Sequence, residues 1–249
     1  MQYEGLNDIN VEFKVKIDYD INCFRVIPKD MKNIIIYCHN LGSDGTWALR
    51  FYKDLYKQQI GIIAPDFPGH GLDQTDFKKF NLNLCLIYLD NVIKYVKRVY
   101  PGVKINLLGS SFGSYIILNR LIRNIEHFNT VLLMCPDIDL ETIFKEQHNL
   151  TAEYYQNHEY KFLYGKVKLY YNAYLDFINY NVLNNDKITR NNNIYVVYGT
   201  DDKVISSDLM ESFCHNLNIP LTKIKGAPHE FYSYLNEVNQ FIIDKINNS

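Results

Sequence analysis

Apolar residues fall in two rhythms along this chain. Short β-branched runs alternate with segments whose apolar residues return every three or four positions, the pattern of a mostly parallel sheet covered by helices. Val11–Ile17 and Cys23–Ile27 alternate apolar and polar residues and predict an antiparallel start. Asn33–Cys38 (NIIIYC) and Ile60–Pro65 (IGIIAP) are continuous apolar runs, as strands buried on both faces require. Lys104–Gly109, Thr130–Cys135 and Asn193–Tyr198 repeat that pattern, and Leu221–Lys225 reads as a shorter final strand. Helical spacing covers Thr46–Lys57, Leu82–Tyr100, Ser111–Arg123, Ser207–Asn216 and His229–Ile246. The expectation is an α/β fold in one domain, residues 1–249.

One interval breaks the alternation. Asp137 to Arg190 separates two core strands by far more chain than a crossover helix needs, and is too long for a structureless loop. Residues 137–190 therefore read as an inserted cap, helical in part. The cap is dense in aromatic residues, among them Phe144, Tyr154, Tyr155, Tyr160, Phe162, Tyr164, Tyr170, Tyr171, Tyr174 and Phe177. Most of these rings are expected to pack the cap onto the core.

Composition narrows the function classes. The 26 basic and 28 acidic side chains give a net charge of −2, so no basic excess recruits nucleic acid or an anionic membrane. No apolar run reaches the length of a membrane span. Met1 to Val11 is polar and carries acids, unlike a secretory signal. The five cysteines, Cys23, Cys38, Cys85, Cys135 and Cys214, are scattered with no CxxC pair. They read as buried, reduced thiols of a cytoplasmic protein without a zinc site. The Asn and Tyr excess reads as the signature of an AT-rich genome, with Asn184–Asn185 and Asn191–Asn193 marking loops.

The chemistry starts at Gly109-Ser110-Ser111-Phe112-Gly113. This G-x-S-x-G follows an apolar strand and opens a helix, the setting of a nucleophile elbow. Glycine at 109 and 113 leaves room for the tight turn, and Ser111 is held at a helix N-terminus, where positive dipole gathers. A serine nucleophile needs a base, and His229 lies in the loop after the last strand. The base needs an orienting acid. Asp201 and Asp202 follow another core strand and offer two carboxylates. No histidine cluster has metal-ligand spacing, and there is no phosphate-binding glycine loop.

With these motifs, and with His39-Asn40-Leu41-Gly42 and Asp66-Phe67-Pro68-Gly69-His70-Gly71 at two further strand ends, the sequence resembles the α/β-hydrolase superfamily. It is nearest the branch of small capped esterases, monoacylglycerol lipases and serine aminopeptidase-like hydrolases. The resemblance implies a mostly parallel eight-stranded sheet flanked by helices, with the cap inserted. It implies Ser111, Asp202 and His229 as the catalytic triad, with Asp201 and then Asp137 or Asp139 as other positions for the acid. It implies the Leu41 and Phe112 amides as the oxyanion hole, His39 and His70 as structural, and no metal or other cofactor. Asn40 stands where glycine is usual, and its tolerance of left-handed φ is expected to preserve the loop. Pro228 stands where glycine often precedes the histidine. His127, His148, His158 and His215 are expected to be solvated.

The expected activity is cytoplasmic hydrolysis of small-molecule carboxylic esters through an acyl-enzyme. A peptidase or acyl-thioesterase could use the same triad. An aminopeptidase would need a carboxylate for the substrate amine, for which Glu141, Glu146, Glu153 and Glu159 are candidates. A ligand-binding protein that keeps the fold without catalysis is the alternative from another class. Oligomeric state is left open by the sequence.

Overall fold

The computed structural model describes residues 11–17, 20–183, 185–190 and 192–249. The expectations for the first ten residues and for Asn184 and Asn191 lie outside the described residues. The chain runs β1 (Val11–Lys16), β2 (Asn22–Val26), β3 (Asn33–Cys38), α1 (Tyr52–Lys57), β4 (Ile60–Pro65), α2 (Leu82–Val99), β5 (Lys104–Ser110), α3 (Phe112–Arg123) and β6 (Thr130–Met134). It continues with α4 (Leu140–His148), β7 (Tyr160–Leu163), β8 (Val167–Tyr170), α5 (Tyr171–Asn179), β9 (Ile194–Gly199), α6 (Ser207–Asn216), β10 (Leu221–Ile224) and α7 (Leu235–Asn247).

Eight strands form one sheet in the order β1-β2-β4-β3-β5-β6-β9-β10. The β1–β2 and β2–β4 pairs are antiparallel, and every later pair is parallel. The apolar runs explain the central position of β3, β4 and β5. Ile34, Ile35, Ile36, Tyr37 and Cys38 have no exposed surface, because helices cover both faces of a parallel sheet. Helix α2 shows how a cover is made. Asn81 caps it by accepting from the Leu84 N–H at 2.8 Å, and Cys85, Leu89, Val92 and Val96 form its buried stripe. Among the described residues, no helix is long and apolar enough to cross a membrane.

Three elements differ from the sequence reading. The segment expected as one helix over Thr46–Lys57 is a 3-10 helix, Gly45–Arg50, followed by α1, with Phe51 at the break. The last helix starts at Leu235 instead of His229, because left-handed Phe231 (φ 56°) divides residues 228–234 into two successive turns. The segment between β6 and β9 contains an antiparallel hairpin, β7–β8, as well as helices. Its turn is closed by Lys166 N–H donating to the Leu163 carbonyl at 3.0 Å. Positive φ at both Tyr164 (51°) and Gly165 (66°) is the requirement of a type I′ turn.

Asp66 ties two strand-end loops together. One carboxylate oxygen accepts from the Gly45 N–H at 2.8 Å after β3, and the other from the Leu72 N–H at 2.8 Å after β4. Asp66→Ala leaves both donors unpaired and is expected to destabilise the fold by about 2–4 kcal/mol, read from urea denaturation.

Candidate active site

All six parallel strands point their C-terminal ends to one side, where ligands bind in open α/β sheets. Ser111 follows β5 there, Asp202 follows β9 and His229 follows β10. Ser111 is held at φ 52°, ψ −119°, a strained conformation for a residue with a side chain. The turn closes because its flanks lack Cβ atoms. A Cβ on Gly113 would strike the Cys38 carbonyl at the end of β3, and one on Gly109 would lie 2.6 Å from the Ser114 backbone.

The three side chains meet in line. His229 Nε2 is 2.9 Å from Ser111 Oγ, and His229 Nδ1 is 2.7 Å from Asp202 Oδ2. The second Asp202 oxygen accepts the Val204 and Ile205 N–H groups at 2.7 and 3.1 Å, which fixes the carboxylate plane. Asp201 points to solvent and accepts from its neighbour Thr200 at 3.3 Å. Asp139 caps α4 through Thr142. Asp137, a minor candidate from sequence, meets the serine directly: Ser111 Oγ donates to Asp137 Oδ1 at 3.0 Å.

Burial and partners set the charges. Burial pulls the His229 pKa down, but the hydrogen bond and charge of Asp202, with Asp137 and Glu230, outweigh it and leave the pKa raised. Burial pushes Asp202 up, yet His229 and the two backbone donors bring it below the ordinary carboxylate range. Burial pushes Asp137 up to about 6, against the pull of His229 and Ser111.

Leu41 lies in the turn Asn40–Ser43, closed by Ser43 N–H donating to the Asn40 carbonyl at 3.1 Å. Among the described residues no partner accepts from the Leu41 N–H. The Phe112 N–H is at the first position of α3, where no intrahelical acceptor exists. The expectation about Asn40 is corrected: it is not among the residues of positive φ, and Gly42 (φ 79°) takes the left-handed position of the turn. The Asn40 carbonyl also accepts from His39 Nδ1–H at 2.8 Å, while His39 Nε2 accepts from the Phe67 N–H at 3.0 Å. These two bonds define one neutral tautomer, and burial, then nearby His70, lowers its pKa to about 3. His70 is likewise buried, donating from Nδ1 to the Pro68 carbonyl at 3.0 Å.

A cavity of about 240 Å³ opens over Ser111. Leu41, Ser111 and His229 border it, with Trp47, Tyr164 and Tyr232 as its aromatic wall. Arg50 stacks between Trp47 and Tyr232, at 4.9 and 5.5 Å, and donates to the Glu230 carbonyl. It thereby anchors the histidine loop, an attachment that no sequence motif announced. Tyr164 packs over Gly42, where an added Cβ would meet its own Cβ at 2.9 Å. Its hydroxyl is hydrogen-bonded to Nε2 of half-buried His148 at 3.1 Å, so His148 is not the solvated residue expected. Of the aromatic residues in segment 137–190, Tyr164 alone borders this cavity. Phe144, Tyr174 and Phe177 are buried in packing.

Among the described residues, one set of donor atoms approaches metal-ligand spacing: Cys135 with Asp202 and His229, all within 4.8 Å. The imidazole and carboxylate are already joined through their own proton, and burial holds the Cys135 thiol far above its ordinary range. This set therefore does not present the thiolate a soft metal needs.

Residues 29–192 match the family model described as Hydrolase_4, Serine aminopeptidase, S33. No curated protein matches by sequence. Among solved structures, Est1E from Butyrivibrio proteoclasticus with ferulic acid bound superposes with a TM-score of 0.77 at 17% identity, covering 93% of this chain and 98% of that one. Alpha/beta hydrolase domain-containing protein 10 from mouse gives 0.72 at 14%, covering 96% and 98%. The Pyrococcus furiosus esterase Pf2001 gives 0.70 at 17%, covering 97% and 92%. These likenesses show the α/β-hydrolase fold.

Asp202→Asn removes the two largest influences that raise the His229 pKa, leaving burial as the main one. The ring is then expected to titrate below its ordinary 6.5, whereas Asp201→Asn leaves it in place. Titration of the imidazole by NMR distinguishes the two carboxylates.

Proposed function

Because the chain belongs to the Hydrolase_4 family of serine aminopeptidase type (S33), we propose that it is a serine hydrolase that cleaves carboxylic esters of small molecules. The observation that carries this reading is the unbroken line Asp202–His229–Ser111, with bonds of 2.7 and 2.9 Å, beneath an open cavity. In this scheme Ser111 Oγ attacks the acyl carbon while its proton passes to His229 Nε2. Asp202 holds the proton on Nδ1 and balances the imidazolium charge. The carbonyl oxygen, now anionic, accepts from the Leu41 and Phe112 amides, donors worth about 3–4 kcal/mol each to a transition state. The Nε2 proton leaves with the alcohol. Water, deprotonated by His229, then releases the acid.

Cavity size argues for the acyl group. At about 240 Å³ it is smaller than the roughly 300–1,000 Å³ of sites for drug-sized ligands. Its aromatic wall suits short-chain or small aromatic acyl groups. The ferulic acid held by the structurally similar Est1E is consistent with that preference. Segment 137–190 acts as a cap through Tyr164 and Lys166, which border the cavity. The four glutamates considered for an aminopeptidase, Glu141, Glu146, Glu153 and Glu159, are exposed and none borders the cavity. This argues against recognition of a substrate amine by those four residues, while Glu230 is the carboxylate that does border the cavity. The five cysteines are all free and buried, in keeping with a reducing, cytoplasmic setting.

Ser111→Ala is expected to abolish labelling by a fluorophosphonate probe and to lower ester turnover by roughly three orders of magnitude or more. Wild-type protein that takes no label would favour a non-catalytic ligand-binding role. Across p-nitrophenyl esters, rates are expected to peak at short chains, near C4, and an optimum near C12 or beyond would reject the compact-site reading. Thioester and aminoacyl-anilide substrates run alongside separate the thioesterase and peptidase alternatives.

A further inference from the structure

The Ser111 hydroxyl carries one hydrogen and has two neighbours able to take it. His229 Nε2 stands 2.9 Å from Oγ, and Asp137 Oδ1 stands 3.0 Å from it. The acyl-transfer scheme has no task for Asp137. Yet this carboxyl group belongs to a residue only 5% exposed, a costly place for an unpaired charge.

Its placement is built into the backbone. Strand β6 stops at Met134, Cys135 adopts a left-handed φ of 40°, and Pro136 follows. That turn brings the Asp137 N–H to the Ser111 carbonyl at 3.3 Å, so main chain and side chain of Asp137 both grip the same residue. Ser111 and Cys135, two non-glycine residues of positive φ, thus stand at neighbouring strand ends. Strain of this kind gathers at functional sites. The titratable groups that act on Asp137 are His229 and Asp202 from the other strand-end loops, Tyr164 from the hairpin turn and Cys135 from its own turn. Of these, only His229 can become positive.

We propose that Asp137 is a further catalytic residue, which contends with His229 for the Ser111 hydrogen when ionised and yields that hydrogen to His229 when protonated. The proposal rests on the serine-hydrolase reading. As a carboxylate, Asp137 draws the serine O–H away from Nε2 and sets a negative charge beside the oxygen that must become nucleophilic. As an acid, it donates its own O–H to Oγ and leaves the serine O–H directed at Nε2. Attack from this second form balances. The Oγ–carbon bond forms, the carbonyl π pair moves to the oxyanion, the serine proton passes to Nε2, and Asp137 keeps its proton throughout. The reactive enzyme therefore holds a proton on Asp137 and none on His229 Nε2. Burial raises the Asp137 pKa to about 6 while His229 is held above its ordinary 6.5, so the singly protonated enzyme carries its proton mostly on His229 and the reactive arrangement is the minor tautomer of that same charge state.

The test measures kcat/KM for a short-chain p-nitrophenyl ester, and the second-order rate of fluorophosphonate labelling, from about pH 5 to about pH 9. Wild-type protein is expected to give a bell for both, because the reactive form is singly protonated across the two groups. Asp137→Asn places a neutral donor at the same position. It is expected to lose the alkaline limb, to exceed wild type about tenfold near pH 8, and to shift the remaining limb to lower pH, since an anion beside His229 is gone. A wild-type plateau from about pH 7 to about pH 9 overturns the proposal, and the labelling profile decides this even where Asp137→Asn does not fold. An Asp137→Asn protein slower than wild type by one constant factor at every pH also overturns it, assigning Asp137 a structural role. A flat profile with label lost only in Ser111→Ala sinks the proposal and keeps the hydrolase reading. Wild-type protein that neither labels nor hydrolyses sinks both.

Discussion

The site depends on one close approach between backbones. Strand β5 must hand over to α3 within a single residue, while the end of β3 passes against the first turn of that helix. Only Gly113 lets the Cys38 carbonyl come so near, and only a left-handed Ser111 makes the turn short enough. Packing of the strand–helix layer holds this strained geometry, whose local cost is of order 1–3 kcal/mol. The same approach sets the Phe112 amide and the loop of Leu41 beside one another, since both stem from the two strands that it brings together.

Parallel strand order does the remaining assembly. Neighbouring strands β5, β6 and β9, with β10 at the edge, deliver Ser111, Asp137, Asp202 and His229 to one rim although 118 positions separate Ser111 from His229. Only short segments then need their own fixing. Asp202 is oriented by the amides two and three residues on. The histidine loop is tied to the 3-10 helix after β3 by Arg50. The Arg50 bond, like those of Asp66 to Gly45 and Leu72, joins segments that belong to different strand ends, so the rim behaves as one connected layer.

Much of this was legible in the sequence because its signals are local. Continuous apolar runs such as Ile34–Cys38 state that a strand is covered on both faces, and a G-x-S-x-G after such a run states the turn. What escaped the sequence is geometry that crosses between segments. Asp137 was visible as an acid after β6, but its contact with Ser111 depends on the left-handed turn at Cys135, and nothing about a cysteine announces one. The β7–β8 hairpin was missed because Tyr-Gly occupies a turn that more often shows Asn-Gly. Asn40 attracted attention as a substitution for glycine, while the conformational demand fell two residues later on Gly42. Helical periodicity through residues 229–234 concealed Phe231, whose left-handed φ keeps His229 out of α7.

The seat of Tyr164 on Gly42 joins two properties that an enzyme engineer would prefer to adjust separately. Tyr164 shapes the mouth of the cavity, and the same ring braces the turn that aims the Leu41 amide. Trimming that side chain to admit bulkier guests also slackens the support of the turn beneath it. Redesign at this position therefore trades breadth of substrate acceptance against speed, and Tyr232 is bound in the same way, because its ring stacks on the Arg50 that holds the histidine loop.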